Sequence, residues 1–289
     1  MPRGTLAVLG VGIIAISTAA PLIKLVSDVP PLVVAAYRLG LAALIFTPLG
    51  LIRLRTEHIP ISVRDLWIVA GAGMCLALHF AAWIASLRYT SVASSVALVT
   101  MNPLLLAIAG YLIWNERLVR RQWLGIGLAL LGGLCIGWND FQQPGPAVES
   151  AVYGDILALC GAIMVSAYLL CGRFARARLS LSVYVGLVYG CAALVLITGC
   201  LLFQLPLFGY ATQDYIILIL LALIPQVLGH TILNWALAYM SPTLVALAIL
   251  GEPIGAALLA WVFLNEPVVL LQGLGAVCLL TGILMGQKQ

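Results

Sequence analysis

The sequence predicts an all-α integral membrane protein of ten transmembrane helices arranged as two inverted five-helix repeats. Three observations carry that prediction. A shift of 150 positions lays the chain on itself without a gap, pairing Gly40 with Gly190, Tyr89 with Tyr239, Ser91 with Ser241 and Pro103 with Pro253. The same shift pairs Asn115-Glu116 with Asn265-Glu266, Gln122 with Gln272, Gly125 with Gly275 and Gly132 with Gly282. Hydrophobic residues make up 63% of the 289 residues and charged residues 8%, against the ~25% charged that soluble domains carry. The basic residues, finally, gather in alternate loops.

Ten apolar runs follow one another, each near the ~20 residues that cross a ~30 Å hydrocarbon layer as a helix. The first, 5–26, follows Arg3 and passes through the small residues Ser17-Thr18-Ala19-Ala20, which imitates a cleavable signal peptide. The shift places Gly4 on Gly154 at the start of another such run, so the segment is kept as the first helix of the repeat. Runs 31–52, 66–87, 91–114 and 121–138 complete the first repeat, and 152–172, 181–203, 215–238, 242–264 and 267–286 make the second. Most links are short and several carry Pro, Gly or Ser, which suits antiparallel neighbours. The longest polar stretch, Asn139 to Ser150, joins the halves. The expected organisation is therefore 1–139 as the first repeat, 140–150 as an external linker and 151–289 as the second repeat.

Orientation comes from the Lys and Arg residues. Of 14, one side collects Arg3, Arg53, Arg55, Arg64, Arg117, Arg120, Arg121, Arg173, Arg176, Arg178 and Lys288. The other side has Lys24 and Arg88 at helix ends, and Arg38 lies within a helix. The positive-inside rule puts both termini in the cytoplasm. Five spans per repeat is an odd number, so the second copy enters upside down. The basic 53–64 loop corresponds to the uncharged 204–213 stretch, and the basic 173–178 loop to Ser27–Pro30, so matching loops have opposite charge bias.

Several classes are argued against. The net charge of +4 is a topology signal, with no nucleic-acid patch. The seven cysteines are odd in number, lie in apolar runs and form no CxxC pair, so they are read as buried free thiols without a disulfide or zinc role. Zinc-protease, nucleophile-elbow and phosphate-loop motifs are absent. No cofactor and no metal is expected.

The stretch Asn102-Pro103 … Asn115-Glu116 … Gly125 … Gly132, with its copy Glu252-Pro253 … Asn265-Glu266-Pro267 … Gly275 … Gly282, resembles the drug/metabolite transporter superfamily and its EamA-type members. Arg38 is similar to an arginine many of these proteins carry in the second span; Val188 stands at the matching place, so no paired arginine is expected. The resemblance implies a central cavity enclosed by spans one to four and six to nine, with spans five and ten at the periphery. It also implies transport of small metabolites, frequently export of amino acids or related compounds from bacteria.

Polar residues inside the apolar runs are the site candidates, because a charge at the bilayer centre needs a cavity or a partner. Glu252 sits about ten residues into the ninth span beside Pro253, whose missing N–H frees a carbonyl one turn earlier. It is either a cation or proton site or a neutral or ion-paired packing residue. Asn102 is its counterpart beside Pro103. His79 has Trp83, and His230 has Asn234, four residues on and so on the same helix face. Either pair lines a pocket, or the histidines are structural and bonded to a carbonyl. Arg38 contacts a substrate carboxylate, snorkels outward or pairs with Asp155. Lys24 reads as a snorkelling end charge. Tyr37, Tyr168 and Tyr189 are candidate aromatic walls, with Tyr184 discounted as an interface anchor. In-register glycines on spans five and ten, with Gly133/Gly137 and Gly282/Gly286 spaced as G-x-x-x-G, predict close packing within the chain or between protomers.

The reading is a secondary transporter in the inner membrane of a bacterium, working as a monomer or homodimer by alternating access to a midplane site. A largely apolar chamber with few charges favours amino acids or related amphipathic compounds. Sugar phosphates would need several convergent basic residues. The alternatives are a cationic drug exporter, a membrane-embedded enzyme using His79, His230 and Glu252, or a channel.

Overall fold

The computed structural model describes residues 5–56, 61–114, 119–141, 146–240, 242–266 and 268–286. Arg3, Glu116, Arg117 and Lys288, and with them the first copy of the Asn-Glu motif, lie outside the described residues. So do Ser241 and Pro267.

Ten helical spans run in order among the described residues. The first is Thr5–Ser17 continued by Ala19–Leu25, the second Pro31–Thr56 and the third Val63–Ser86. The fourth is broken into Val92–Val99 and Asn102–Trp114, and the fifth is Arg120–Phe141. The sixth is Pro146–Arg176 and the seventh Leu181–Leu202. The eighth runs as Thr212–Leu221, a π-helical Ala222–His230 and Thr231–Ala236. The ninth is broken into Pro242–Ile249 and Glu252–Leu264, and the tenth is Leu270–Gly286. The sixth span exceeds the apolar run by six residues at one end and four at the other. Apolarity reports the hydrocarbon layer, whereas the helix continues beyond it, with Glu149 near its start and Arg173 and Arg176 in its last turn complementing the macrodipole. Most of the polar stretch expected as a linker is thereby helical, on both sides of residues 142–145.

The packing repeats itself under the 150-residue shift. Span two packs along span seven, span five along span ten, and span three on span six as span eight does on span one. Span four meets span six as span nine meets span one. This is the pattern of two inverted copies related by a pseudo-two-fold axis. Contacts between loops obey the predicted parity. Lys24 Nζ donates to Thr90 O (3.0 Å), and Arg88 donates to Val26 O (2.8 Å) and to the carbonyls of Ser27 and Val29, all on the side poor in basic residues. On the basic side Arg178 Nη1 meets Asp65 Oδ1 at 3.1 Å. Asp65 also closes a capping box with Ser62 at the start of span three.

Two details explain the most repeated residues. Span nine ends on Asn265 in the left-handed region (φ 53°), where asparagine is tolerated. The next residue, Glu266, accepts the N–H of Val92 through Oε1 (2.8 Å) and so caps span four of the other repeat. Gln272 Nε2 adds bonds to Ser91 Oγ (3.2 Å) and Ser94 Oγ (3.1 Å). The motif is a clamp between repeats. Spans five and ten cross at Gly132 and Gly282. A Cβ on Gly132 would lie 2.5 Å from Leu279 N, and one on Gly282 2.4 Å from Ala129 N, so only glycine permits this approach.

All seven cysteines are free, but Cys200 alone is buried and Cys160 is exposed. An apolar run in a membrane protein has a lipid-facing side, which is why apolar surroundings in sequence do not imply burial here.

Candidate functional site

The seam between the repeats holds a small chamber of about 30 Å³ lined by Ile16, His79, Trp83, Val99, Thr100, Asn102, Val165, His230, Leu233, Ile249 and Glu252. Three pairs among these are 150 residues apart: Trp83 and Leu233, Val99 and Ile249, Asn102 and Glu252. The chamber therefore lies on the pseudo-two-fold axis. Its volume is room for an ordered water and too little for a metabolite in this conformation.

The two broken spans place its polar ends. Proline at 103 and 253 cannot donate to the preceding turn, so each helix is interrupted and restarts at Asn102 or Glu252. Glu252 is thus in the first turn of a half-helix, whose dipole favours a negative charge. Ser17 Oγ of span one reaches Glu252 O at 3.5 Å, tying the break to the other repeat. Asn102 is 2% exposed, and its Oδ1 has no hydrogen-bond partner.

The i, i+4 pairing of His79 and Trp83 gives a stacked pair, with ring centroids 6.0 Å apart and planes 5° from parallel. His79 Nδ1 lies 2.9 Å from Gly161 O. A carbonyl only accepts, so Nδ1 carries the proton and Nε2 is the free nitrogen of the neutral ring. The histidine both satisfies a carbonyl and lines the chamber. His230 sits edge-on to Phe80 (5.3 Å), its own counterpart under the shift, so these two rings meet at the axis.

Arg38 is fully buried behind this wall. Its guanidinium carbon lies 4.1 Å from the Phe80 ring centroid and 5.7 Å from that of Trp83. Nε donates to Gln226 Oε1 (2.9 Å). It neither snorkels nor pairs with Asp155, as two of the sequence readings had it. A buried unsatisfied donor costs about 1–3 kcal/mol. Arg38 Nη1 and Nη2, Gln226 Nε2 and Trp83 Nε1 are all in that state.

Asn234 and Tyr168 are drawn into a cluster toward the basic side. Tyr168 Oη donates to Asn234 Oδ1 (2.6 Å), and Asn234 Nδ2 donates to His230 O (2.9 Å) and Tyr189 Oη (3.2 Å). Arg176 Nε donates to Asn234 O (3.1 Å). Tyr184, discounted from sequence, is fully buried beside this cluster. Its nearness to the start of span seven suggested an interface, but span six, with Tyr168, Cys171 and Gly172, packs over that end of the helix. Tyr37 is elsewhere. Its hydroxyl donates to Leu207 O (2.8 Å), and the residue lines an apolar groove of about 630 Å³ along spans two and seven, where Leu44, Leu194 and Phe208 are exposed.

Gln226 and Phe80 were missed. Gln226 follows Pro225 in mid-span, the same proline signal that marks Glu252 and Asn102, and the proline coincides with the π-helical segment. Phe80 is apolar and carries no such signal.

A two-repeat bundle with a polar chamber at the repeat interface defines the class of membrane transport proteins for small compounds. The sequence profile of the EamA-like transporter family matches residues 2–138 and 152–285, and the chain belongs to that family, within the drug/metabolite transporter superfamily. A probable 4-amino-4-deoxy-L-arabinose-phosphoundecaprenol flippase subunit from Klebsiella pneumoniae (strain 342) is 30% identical over 83 residues, 29% of this chain and 69% of the relative. A solved structure titled only "Crystal structure of protein" superposes with a TM-score of 0.69 at 18% identity, covering 99% of this chain and 98% of that one. That likeness speaks for the fold.

Proposed function

We propose that the protein is a secondary transporter that exports amino acids or closely related amphipathic metabolites by alternating access. The observation that carries this reading is a carboxylate (Glu252) and apolar walls lining one chamber on the pseudo-two-fold axis, with a buried guanidinium (Arg38) behind Trp83, one of the lining residues. A zwitterion with an apolar side chain complements that arrangement: ammonium toward Glu252 and Asn102, carboxylate toward Arg38, side chain against Ile16, Val99, Val165, Leu233 and Ile249. In this reading the basic face is cytoplasmic, the membrane is the bacterial inner membrane, and rocking of the repeats exposes the chamber to each side in turn.

A second reading has one observation in its favour. Glu252 beside the His79–Trp83 stack suits an organic cation, and would make the protein a cationic drug exporter. The charge of Arg38 opposes it.

Purified protein in liposomes tests the proposal with labelled amino acids, purines and cationic dyes. Saturable counterflow of amino acids is expected. Exchange of dyes alone supports the second reading, and dissipation of gradients without counterflow identifies a channel.

A further inference from the structure

Arg38 and Gln226 are joined, fully buried and without counterparts: positions 188 and 76 are valine and leucine. Their geometry is more specific than a charge left in a membrane interior. Arg38 Nε can only donate, so the Gln226 atom facing it is the oxygen, and Nε2 is turned away as a donor. Of the guanidinium nitrogens, Nε is thereby used, and Nη1 and Nη2 have no partner. Gln226 Nε2 has none within bonding distance either, although the Tyr189 hydroxyl is nearby. Phe80 lies against the guanidinium, and Nη1 and Nη2, the edge that grips a carboxylate bidentately, are buried without a hydrogen bond. Trp83, with its own unpartnered Nε1, stands between this group and the chamber it lines.

We infer that Arg38, Gln226 and Trp83 form a carboxylate subsite, in which Nη1 and Nη2 take the two oxygens of a monocarboxylate. Gln226 is the positioning residue, locking the guanidinium through Nε and adding Nε2 as a further donor. The inference deepens the amino acid reading above and rests on it for the substrate class. One cation flanked by aromatic rings matches one negative charge, which selects monocarboxylates over dianions such as phosphate esters. The π-helical segment around Pro225 is what brings Gln226 to span two: in that segment Gln226 is fully buried, while its neighbours Leu223 and Leu228 remain exposed.

The test is calorimetric titration of the purified, detergent-solubilised chain with four probes: L-leucine, L-leucinamide, 4-methylpentanoate and 3-methylbutylamine. L-leucine and 4-methylpentanoate are expected to bind saturably, each at least about tenfold tighter than its partner lacking the carboxylate. Gln226→Glu keeps the side-chain shape but places a carboxylate on Arg38, and abolishes binding of both acids. Gln226→Leu weakens both by about tenfold, the loss of one hydrogen bond to a charged group. Gly127→Ala, on peripheral span five with nothing near its Cβ, binds like the parent. Unfolding temperatures of the unliganded variants separate lost binding from lost fold. Equal affinity of the parent for acids and amines, or acid binding retained by Gln226→Glu, overturns the subsite. Leucine counterflow surviving intact in Gln226→Glu rejects the subsite and keeps the export reading. Acid binding that responds to Gln226 without leucine counterflow in the parent keeps the subsite and rejects that reading.

Discussion

Replacing Gly132 or Gly282 by alanine tests how the two repeats are held together away from the chamber. The Cβ built on Gly132 meets backbone atoms, Leu279 N at 2.5 Å and Gly275 O at 2.6 Å. At Gly282 the neighbours are Ala129 N at 2.4 Å and Gly125 O at 2.5 Å, the same contacts read from the other repeat. Backbone cannot swing aside as a side chain can. Ordinary contact begins near 3.4 Å, so the helices must part by about 1 Å. A gap of that size forfeits roughly a quarter to a half of each van der Waals contact along the crossing. Overpacking of this kind costs about 1–3 kcal/mol. Alanine also raises helix propensity by up to ~1 kcal/mol, which would mask part of the loss. Gly127 supplies the control: it lies in the same span with nothing within 4 Å of its Cβ, so Gly127→Ala collects the propensity gain alone. The expected result, from reversible unfolding in mixed micelles followed by circular dichroism, is Gly132→Ala less stable than Gly127→Ala by about 1–3 kcal/mol. Gly282→Ala should match it, and the double variant should lose less than the sum, because one separation relieves both contacts. Equal stabilities of Gly132→Ala and Gly127→Ala would refute the close crossing.

If Glu252 carries a coupling proton, Glu252→Gln abolishes the response of transport to an imposed pH gradient in liposomes; a parent whose transport ignores the gradient, or a variant that still responds, removes Glu252 as the proton carrier. Asn234→Leu removes the acceptor of Tyr168 and the donor to Tyr189, and should lower the unfolding free energy by about 1–3 kcal/mol through the groups left unpaired; unchanged stability refutes a packed polar cluster. Arg178→Ala should cost under about 1 kcal/mol, since the arginine is 54% exposed, whereas Ser62→Ala should cost about 1 kcal/mol by opening the cap of span three; the reverse order refutes the assignment. Cysteines introduced at Arg55 and Thr212 should be labelled from opposite faces of the membrane, and labelling from one face refutes the inversion.

The spans were legible because hydrocarbon thickness imposes a length and a composition that few other environments impose. Inversion was legible because an odd number of spans and opposite loop charge require it together. Helix ends were not: the sixth span runs from Pro146 to Arg176 because propagation continues past the apolar layer while dipole-compensating charges stand at both ends. Within the site, proline-marked positions were readable, since Pro103 and Pro253 break their helices wherever the helices pack. His79 and Trp83 were readable from one-helix geometry. What one sequence does not display is which helix lies opposite. Tyr37 and Arg38 are adjacent in span two, yet Tyr37 bonds to the loop at Leu207 and Arg38 to Gln226, because a helix turns 100° per residue and neighbours face different partners. The Asn-Glu motif carried the family resemblance, and in its described copy it serves as a clamp rather than a site.

The division between repeated and unrepeated residues bears on mechanism. Residues that recur 150 positions on, such as Gly132 and Gly282, hold spans against one another, and their equivalence is what the proposed alternating access would use to exchange arrangements at similar free energy. Residues that do not recur supply the chemistry. Glu252 faces Asn102 across the axis, Arg38 is matched by Val188, Gln226 by Leu76, and His230 by Phe80. Each substitution leaves a polar group on one side only, so a carboxylate lines the chamber and a single guanidinium lies behind its aromatic wall. Had both halves kept the glutamate, two like charges would face each other in a small low-dielectric space, and at least one would have to be neutral. Had both kept the arginine, an anion would be held from two sides, which favours binding over release. In the transport proposed above, single copies of opposite charge within a symmetric frame would give a ligand one orientation and leave it contacts weak enough to break when the frame inverts.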